Sequence, residues 1–291
     1  MSDVIAAPSV RALALRKGIN IARLARDLGR ETITRDDLEG GAGAHSGADT
    51  SYWDVDHAQY GPVTEEPMSR FAQIAAKNLS AAASLIPAVT HHDSADISTL
   101  EAFRKSLAPE ARARGVKLTA LAFQVKALAR ALRAFPRFNA SLSPDGKTLI
   151  LKGFFHIGIA VDTPHGLMVP VIRDADKKGL WAIARDISDL AARAAAHKLA
   201  PEEMGGASMS ISSLGGIGGE AFTPIINPPE VAILGITRAR IEPRWTGESF
   251  EPTPMLPLDL TYEHRVINGA DAARFMRALC DMLADPRRIM V

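Results

Sequence analysis

The chain has 291 residues, 47% of them hydrophobic and 23% charged, with a formal net charge of +1. That length accommodates one substantial domain and a small one, and the near-neutral balance gives no electrostatic case for nucleic acid or an anionic membrane. A single cysteine, Cys280, excludes an intrachain disulfide framework and fits a reducing compartment.

In chain order, residues 5–39 are expected to form a compact, Arg-rich, all-α module. Pro8-Ser9 precedes a helical pattern of Val10, Leu13 and Ala14, which Gly18 stops. A second apolar set follows at Ile19, Ile21, Leu24 and Leu28, then Ile33 and Leu38. Residues 40–51 are Gly- and Ala-rich and read as a linker.

Residues 52–291 alternate helices and strands, so the expected class is α/β with a mixed sheet. Ser98 reads as a helix start for Leu100 to Leu107, and Thr119 for a helix through Val125, Leu128 and Leu132. Residues 148–152 and 156–161 read as strands, the second buried. Residues 167–172 form another, and Pro170 places it at an edge or bulge. Residues 179–199 are amphipathic at helical period, with Leu180, Ile183, Ile187 and Leu190 on one side. Strands at 207–212, 231–236 and 255–262 complete the sheet. Leu256, Leu258, Leu260 and Tyr262 share one face by the period of two. His264 is expected on that same inward face at the strand end. Asn268-Gly269 then turns the chain into a helix holding Ala273, Phe275, Leu279, Cys280 and Met282.

Two segments point to chemistry. A histidine fixed at a strand end beside a polar turn suits a general base, which places His264 first. In Ser208-Met-Ser-Ile-Ser-Ser-Leu-Gly-Gly-Ile-Gly-Gly219, a strand ends in two serines before a glycine run, where a hydroxyl can serve a developing oxyanion. A core histidine and an ordinary Gly-rich loop are the plainer readings of the same residues. The glycines match neither a dinucleotide nor a Walker phosphate loop. His91-His92-Asp93 has no second ligand pair at metal spacing, so no metal is expected. No GxSxG elbow supports a serine hydrolase. With no long apolar run and no basic-then-apolar leader, the expected setting is cytoplasmic, with no membrane partner.

EHRVINGADAARF resembles the (D)HRxx(D/N)G signature of the dihydrolipoyl acyltransferases, the core components of 2-oxo acid dehydrogenase complexes. IPAVTHHDSADISTLEAFRKSL, FPRFNASLS, IGIAVDTPHGLMVPVI, SISSLGGIGG, FTPIINPPEVAILGI and MLPLDLTYEHR follow in the family's order, and their wording is similar to the pyruvate-type, acetyl-transferring branch. The resemblance implies a chloramphenicol acetyltransferase-like fold, a homotrimer with active sites between subunits, and a larger cubic core. It implies His264 as base, Ser212 as oxyanion donor and Asn268 as an assisting residue. It also implies acyl transfer between dihydrolipoamide and coenzyme A as substrates, with the lipoyl group supplied in trans by another domain or protein. Glu263 stands where the family has Asp, leaving a carboxylate to pair with Arg265, and Ala88 stands where many relatives have His.

Residues 5–39 resemble a peripheral subunit-binding domain. Leu15 and Thr32 occupy positions where that family has arginine, and those arginines make charge-assisted contacts with partners. Only weak docking of a decarboxylase or dihydrolipoyl dehydrogenase component is therefore expected. The alternative to an active acyltransferase is a core scaffold that has kept the fold with reduced or lost activity.

Overall fold

The computed structural model describes residues 4–27, 31–39, 53, 55–164 and 166–290. The expected linker at 40–51 and Leu28 lie outside them. The chain divides into two compact units, Met1–Pro67 and Met68–Val291.

In the first unit a short parallel pair, β1 (Ile5–Ala6) with β2 (Thr32–Ile33), closes a set of small helices: α1 (Pro8–Lys17), α2 (Ile21–Asp27) and α3 (Arg35–Glu39). Pro8 begins α1, where its missing N–H costs nothing. Arg16 and Lys17 sit in its last turn, favourably placed against the helix dipole. Gly18 ends it at φ 66°, a left-handed conformation that favours glycine. Val10, Ala14, Ala25, Ile33 and Leu38 are buried together, with Leu13 and Leu24 packed against them.

The second unit begins with α4 (Arg70–Leu85), capped by the Ser69 hydroxyl. Strand β3 (Ala88–Asp96) follows, then α5 (Ser98–Ser106), α6 (Ala108–Ala113) and α7 (Ala120–Ala134). The short hairpin β4 (Ala140–Leu142) and β5 (Leu149–Leu151) leads to β6 (Ile157–Ile159) and β7 (Val171–Ile172). Helix α8 (Leu180–Ala195) precedes β8 (Met209–Ser213), β9 (Ala232–Ile236), β10 (Arg240–Trp245) and β11 (Phe250–Glu263). Helices α9 (Gly269–Ala284) and α10 (Arg287–Met290) complete the unit.

Seven of these strands make one mixed sheet. Strands β6, β8 and β9 are parallel, and β7, β11, β3 and β10 join them antiparallel. β7 is an edge strand, as Pro170 foretold, because proline cannot donate to a ladder. β11 extends over 14 residues, well before Met255, because its first half pairs with β10 and its second with β3 and β9. Neither β10 nor β3 is apparent in the sequence: β3 reads Ala-Val-Thr-His-His-Asp-Ser-Ala-Asp, with no apolar face.

One face of the sheet is apolar. Ile157, Met209, Ile211, Leu234, Leu258, Leu260 and Tyr262 form a single core with Phe123, Leu128, Phe275 and Leu279 from α7 and α9. Phe138 stacks on Phe275 with ring centroids 4.1 Å apart. Each such fully buried side chain contributes about 1.5–3 kcal/mol of burial free energy. The other face is polar. Strand partners point to the same side, so Ser212, Gly235, Asp259 and His92, paired in turn, form one row across it. Thr90 and Thr261 hydrogen-bond on that face at 2.8 Å.

Candidate active site

His264 does not continue the inward face of β11. The strand ends at Glu263, whose carbonyl accepts the N–H groups of Val266 and Ile267, and the chain turns there. His264 stands exposed in that turn, its own N–H donating to the Pro87 carbonyl at 3.0 Å. Strand parity fails at this residue because the hydrogen-bonded turn rotates it out of the pleat.

The turn is held by its own neighbours. Arg265 reaches back across His264 to Glu263, donating from Nε at 2.9 Å and Nη2 at 2.7 Å, and its backbone N–H donates to the same carboxylate at 3.1 Å. This two-point pairing forms despite the extra methylene of glutamate, and it holds the Arg265 guanidinium pKa above its ordinary value. Asn268 caps α9, its Oδ1 accepting the Asp271 N–H at 2.9 Å. The carboxamide oxygen therefore fixes the helix start. The Tyr262 and His264 rings lie 5.7 Å apart, so a buried tyrosine backs the exposed imidazole.

Ser212 is half-buried near the end of β8, and the glycine run opens at Gly215, after Ser213 and Leu214. Residues from elsewhere in the chain tie that run down. Thr237 donates its hydroxyl to the Glu220 carbonyl at 3.0 Å, and Arg238 donates to the carbonyls of Gly216 and Ile217 at 3.0 and 3.1 Å.

Within one chain, Ser212 and His264 are not brought together. Ser212 is level with Gly235 and hence with Asp259, whereas His264 lies beyond the far end of that strand. At about 3.3 Å per residue and 4.8 Å per strand spacing, the two are roughly 20 Å apart. His264 and Asn268 share a corner of the unit, and Ser212 lies on the sheet face in the row of Gly235, Asp259 and His92.

Two features escaped the sequence reading. Glu230 heads β9, 4% exposed, its Oε1 accepting from Ser210 Oγ at 2.9 Å and Asn227 Nδ2 at 3.1 Å, while Oε2 has no protein partner. Burial pushes its pKa up to about 7, against the opposing pull of those two hydrogen bonds and of Lys152. It lines a cleft of about 520 Å³ with Asn78, Leu85, Pro229, Glu263 and Arg265, beside the His264 turn. A charged residue at the head of an apolar strand was the available signal. The second feature is the His92–Asp259 contact at 2.6 Å, which joins residues far apart in sequence.

The His91-His92-Asp93 run is dismantled by pairing, His92 with Asp259 and Asp93 with Arg277. Among the described residues no group of three or more His, Cys, Asp or Glu side chains is placed to hold a metal ion. Cys280 is buried in α9, and burial is the main cause that pushes its thiol up to about 12, which leaves it without thiolate character at neutral pH. No helix of the described residues is long and apolar enough to cross a membrane.

Residues 60–291 match the family of 2-oxoacid dehydrogenases acyltransferase, catalytic domain. The whole chain aligns, at 46% identity, with 55% of the dihydrolipoyllysine-residue acetyltransferase component of the pyruvate dehydrogenase complex from Pseudomonas aeruginosa. It aligns at 47% with 48% of the corresponding component from Azotobacter vinelandii, so the chain spans about half the length of these curated relatives. Among solved structures, Azotobacter vinelandii dihydrolipoamide acetyltransferase matches with a TM-score of 0.80 and 52% identity, over 81% of this chain and 98% of that one. That structure addresses the role of one serine, one histidine and one asparagine in its catalytic mechanism. The cubic core of the pyruvate dehydrogenase multienzyme complex matches over the same shares, with a TM-score of 0.80 and 53% identity.

Proposed function

The chain belongs to the 2-oxoacid dehydrogenase acyltransferase family, and on that premise we propose that it transfers an acyl group, acetyl above all, between dihydrolipoyl-lysine and coenzyme A. One observation carries this reading. Ser212, His264 and Asn268 are separated in this sequence by the same two intervals as the serine, histidine and asparagine of the Azotobacter enzyme.

The chemistry follows from the residues. His264 accepts the proton of the coenzyme A thiol, whose ordinary pKa near 8.5 leaves little thiolate at neutral pH. The sulfur attacks the acyl thioester carbonyl, and the oxyanion takes a hydrogen bond from the Ser212 hydroxyl. Collapse expels the dihydrolipoyl sulfur, which recovers the proton from the imidazolium. Cys280 has no part in this sequence, since no acyl-enzyme forms. Lipoyl groups reach the site in trans from another domain or polypeptide.

The roughly 20 Å between Ser212 and His264 supports a centre assembled from two copies, His264 and Asn268 from one and Ser212 from its neighbour. A homotrimer closes three such centres, and the likeness to a cubic core supports trimers as its corners. Co-expression of His264→Ala with Ser212→Ala tests this: random trimers should recover about a quarter of wild-type activity, because each centre draws on two chains. Recovery at the sum of the two single variants would refute the shared centre.

Residues 5–39 act as the docking module for a decarboxylase or dihydrolipoyl dehydrogenase component, and a weak one. Leu15 is 85% exposed, an apolar side chain where a charged contact would serve. Leu15→Arg with Thr32→Arg should tighten binding by at least about tenfold, in a salt-sensitive way. Calorimetry giving nanomolar affinity for the unmodified chain would overturn this assignment.

A further inference from the structure

The sheet face that carries Ser212 also carries a buried carboxyl group. Asp259, in the middle of β11, has no accessible surface and is level with Gly235, the strand partner of Ser212. Its Oδ1 meets His92 Nδ1 at 2.6 Å, and its Oδ2 accepts the backbone N–H of Phe222 at 3.2 Å. The Phe222 N–H donates to one carboxyl oxygen, and the His92 ring nitrogen shares a short hydrogen bond with the other.

Phe222 belongs to the loop that opens with the glycine run after Ser213. Its ring fills the space over Gly235: a Cβ added at Gly235 would lie 2.9 Å from that ring and 3.0 Å from Asp259 Cβ. Ser212, Gly235 under the Phe222 ring, Asp259 and His92 thus form one contiguous row. Thr237 and Arg238 fix the loop from Gly216 to Glu220. Asp259 fixes it at Phe222, the point where it lies against the neighbour of Ser212. The row also excludes His92 as a base acting on Ser212, since three strand spacings, about 14 Å, separate the two strands.

We propose that the Asp259–His92 pair is a positioning device for acyl transfer: it clamps Phe222 onto Gly235 and so sets the wall of the reaction centre beside the Ser212 hydroxyl. The proposal rests on the reading of Ser212 as oxyanion donor. Such a donor works only when held within about 0.5 Å of its productive position, which requires neighbours that are themselves locked. His92 completes the clamp by holding the second oxygen of the fully buried carboxyl group.

The test compares Asp259→Asn, His92→Phe and His92→Gln in the full chain, each with Ser212 intact and with Ser212→Ala, in acetyl transfer from acetyl-CoA to dihydrolipoamide. Asp259→Asn should lower kcat about tenfold and move KM less than about twofold, the pattern of a lost transition-state interaction. In the Ser212→Ala background the same change should cost less than about twofold, because the two residues act as a unit. His92→Phe should fall in the same direction, and His92→Gln, which keeps an N–H donor, should recover part of that loss. Hydrogen exchange in 214–229 should rise selectively in Asp259→Asn. An equal loss of kcat in both backgrounds, or unchanged exchange in that loop, overturns the positioning role. A Ser212→Ala enzyme with wild-type kcat would remove the reading of Ser212, and the positioning role with it; exchange data, which need no turnover, tell these failures apart.

Discussion

The corner that holds His264 and the strand end that holds Ser212 are built on opposite plans. The side chains that clasp the His264 turn lie mostly within a few positions of it, Glu263 with Arg265 and Asn268 with Asp271, while the His264 N–H ties the turn to the Pro87 carbonyl. The Ser212 end is fixed by Thr237, Arg238 and Asp259, none of them close in sequence. A group braced mostly by its own segment depends less on the rest of the sheet. A group braced at long range depends on the whole sheet, and is easier to disturb from a distance.

The largest test of that contrast is removal of the groups themselves. His264→Ala should lower kcat by roughly 10²- to 10⁴-fold, the loss expected for a general base, in steady-state assays of a variant with unchanged circular dichroism. Retention of more than half the activity would end its assignment. Ser212→Ala should cost about 10²- to 10³-fold, in kcat rather than KM; an effect confined to KM would make it a binding residue.

Next in size is Glu230, which lines the cleft beside the His264 turn while hydrogen-bonding to Ser210, two positions before Ser212. Its pKa is raised from the ordinary 4.5 to about 7, so the native state holds this proton more tightly than the unfolded chain. The resulting stability is fully present below about pH 4.5 and is lost as pH rises through about 7. Glu230→Gln, which cannot ionise, should therefore gain on wild type between pH 4.5 and 8 by roughly 2–4 kcal/mol. Thermal unfolding at both ends of that range reads this as a shift of several degrees; a constant gap between the two proteins would contradict it.

The smallest expected effect isolates the local brace. Asn268→Ala should destabilise α9 by about 1 kcal/mol through loss of its cap, whereas Asn268→Asp keeps a capping oxygen and should cost little stability. If Asn268→Asp nevertheless lowers kcat, the carboxamide NH₂ acts on the reaction as well as on the helix. Denaturant unfolding beside turnover separates the two roles.

The same contrast decides what could be read from the sequence. The His264 strand end, the Asn268-Gly269 turn and helix α9 were legible as short-range patterns, whereas the Glu263–Arg265 pairing followed from the family resemblance and the Asn268 cap appears only in the structure. The mixed sheet was legible from its buried strands, β6, β8, β9 and the second half of β11. Strand β3 was not, since it carries polar residues on both faces, level with Thr261 and Asp259 on one and with Leu260 and Leu258 on the other, and its register is set by β11 alone. The inward orientation expected of His264 failed for a local reason too, a turn beginning one residue earlier than alternation implied. The pairing of Asp259 with His92 gave no signal, because it is a contact between distant strands.

Strand β11 acts as a ruler. By holding His264 a fixed span away from the row of Ser212, it ensures that each chain, on the reading proposed above, serves two different centres and completes neither. Activity is then second order in intact chains: a polypeptide defective in both groups spoils one centre through its histidine corner and another through its serine. In a mixed population the output falls as the square of the intact fraction, so a minor defective allele is felt out of proportion to its abundance.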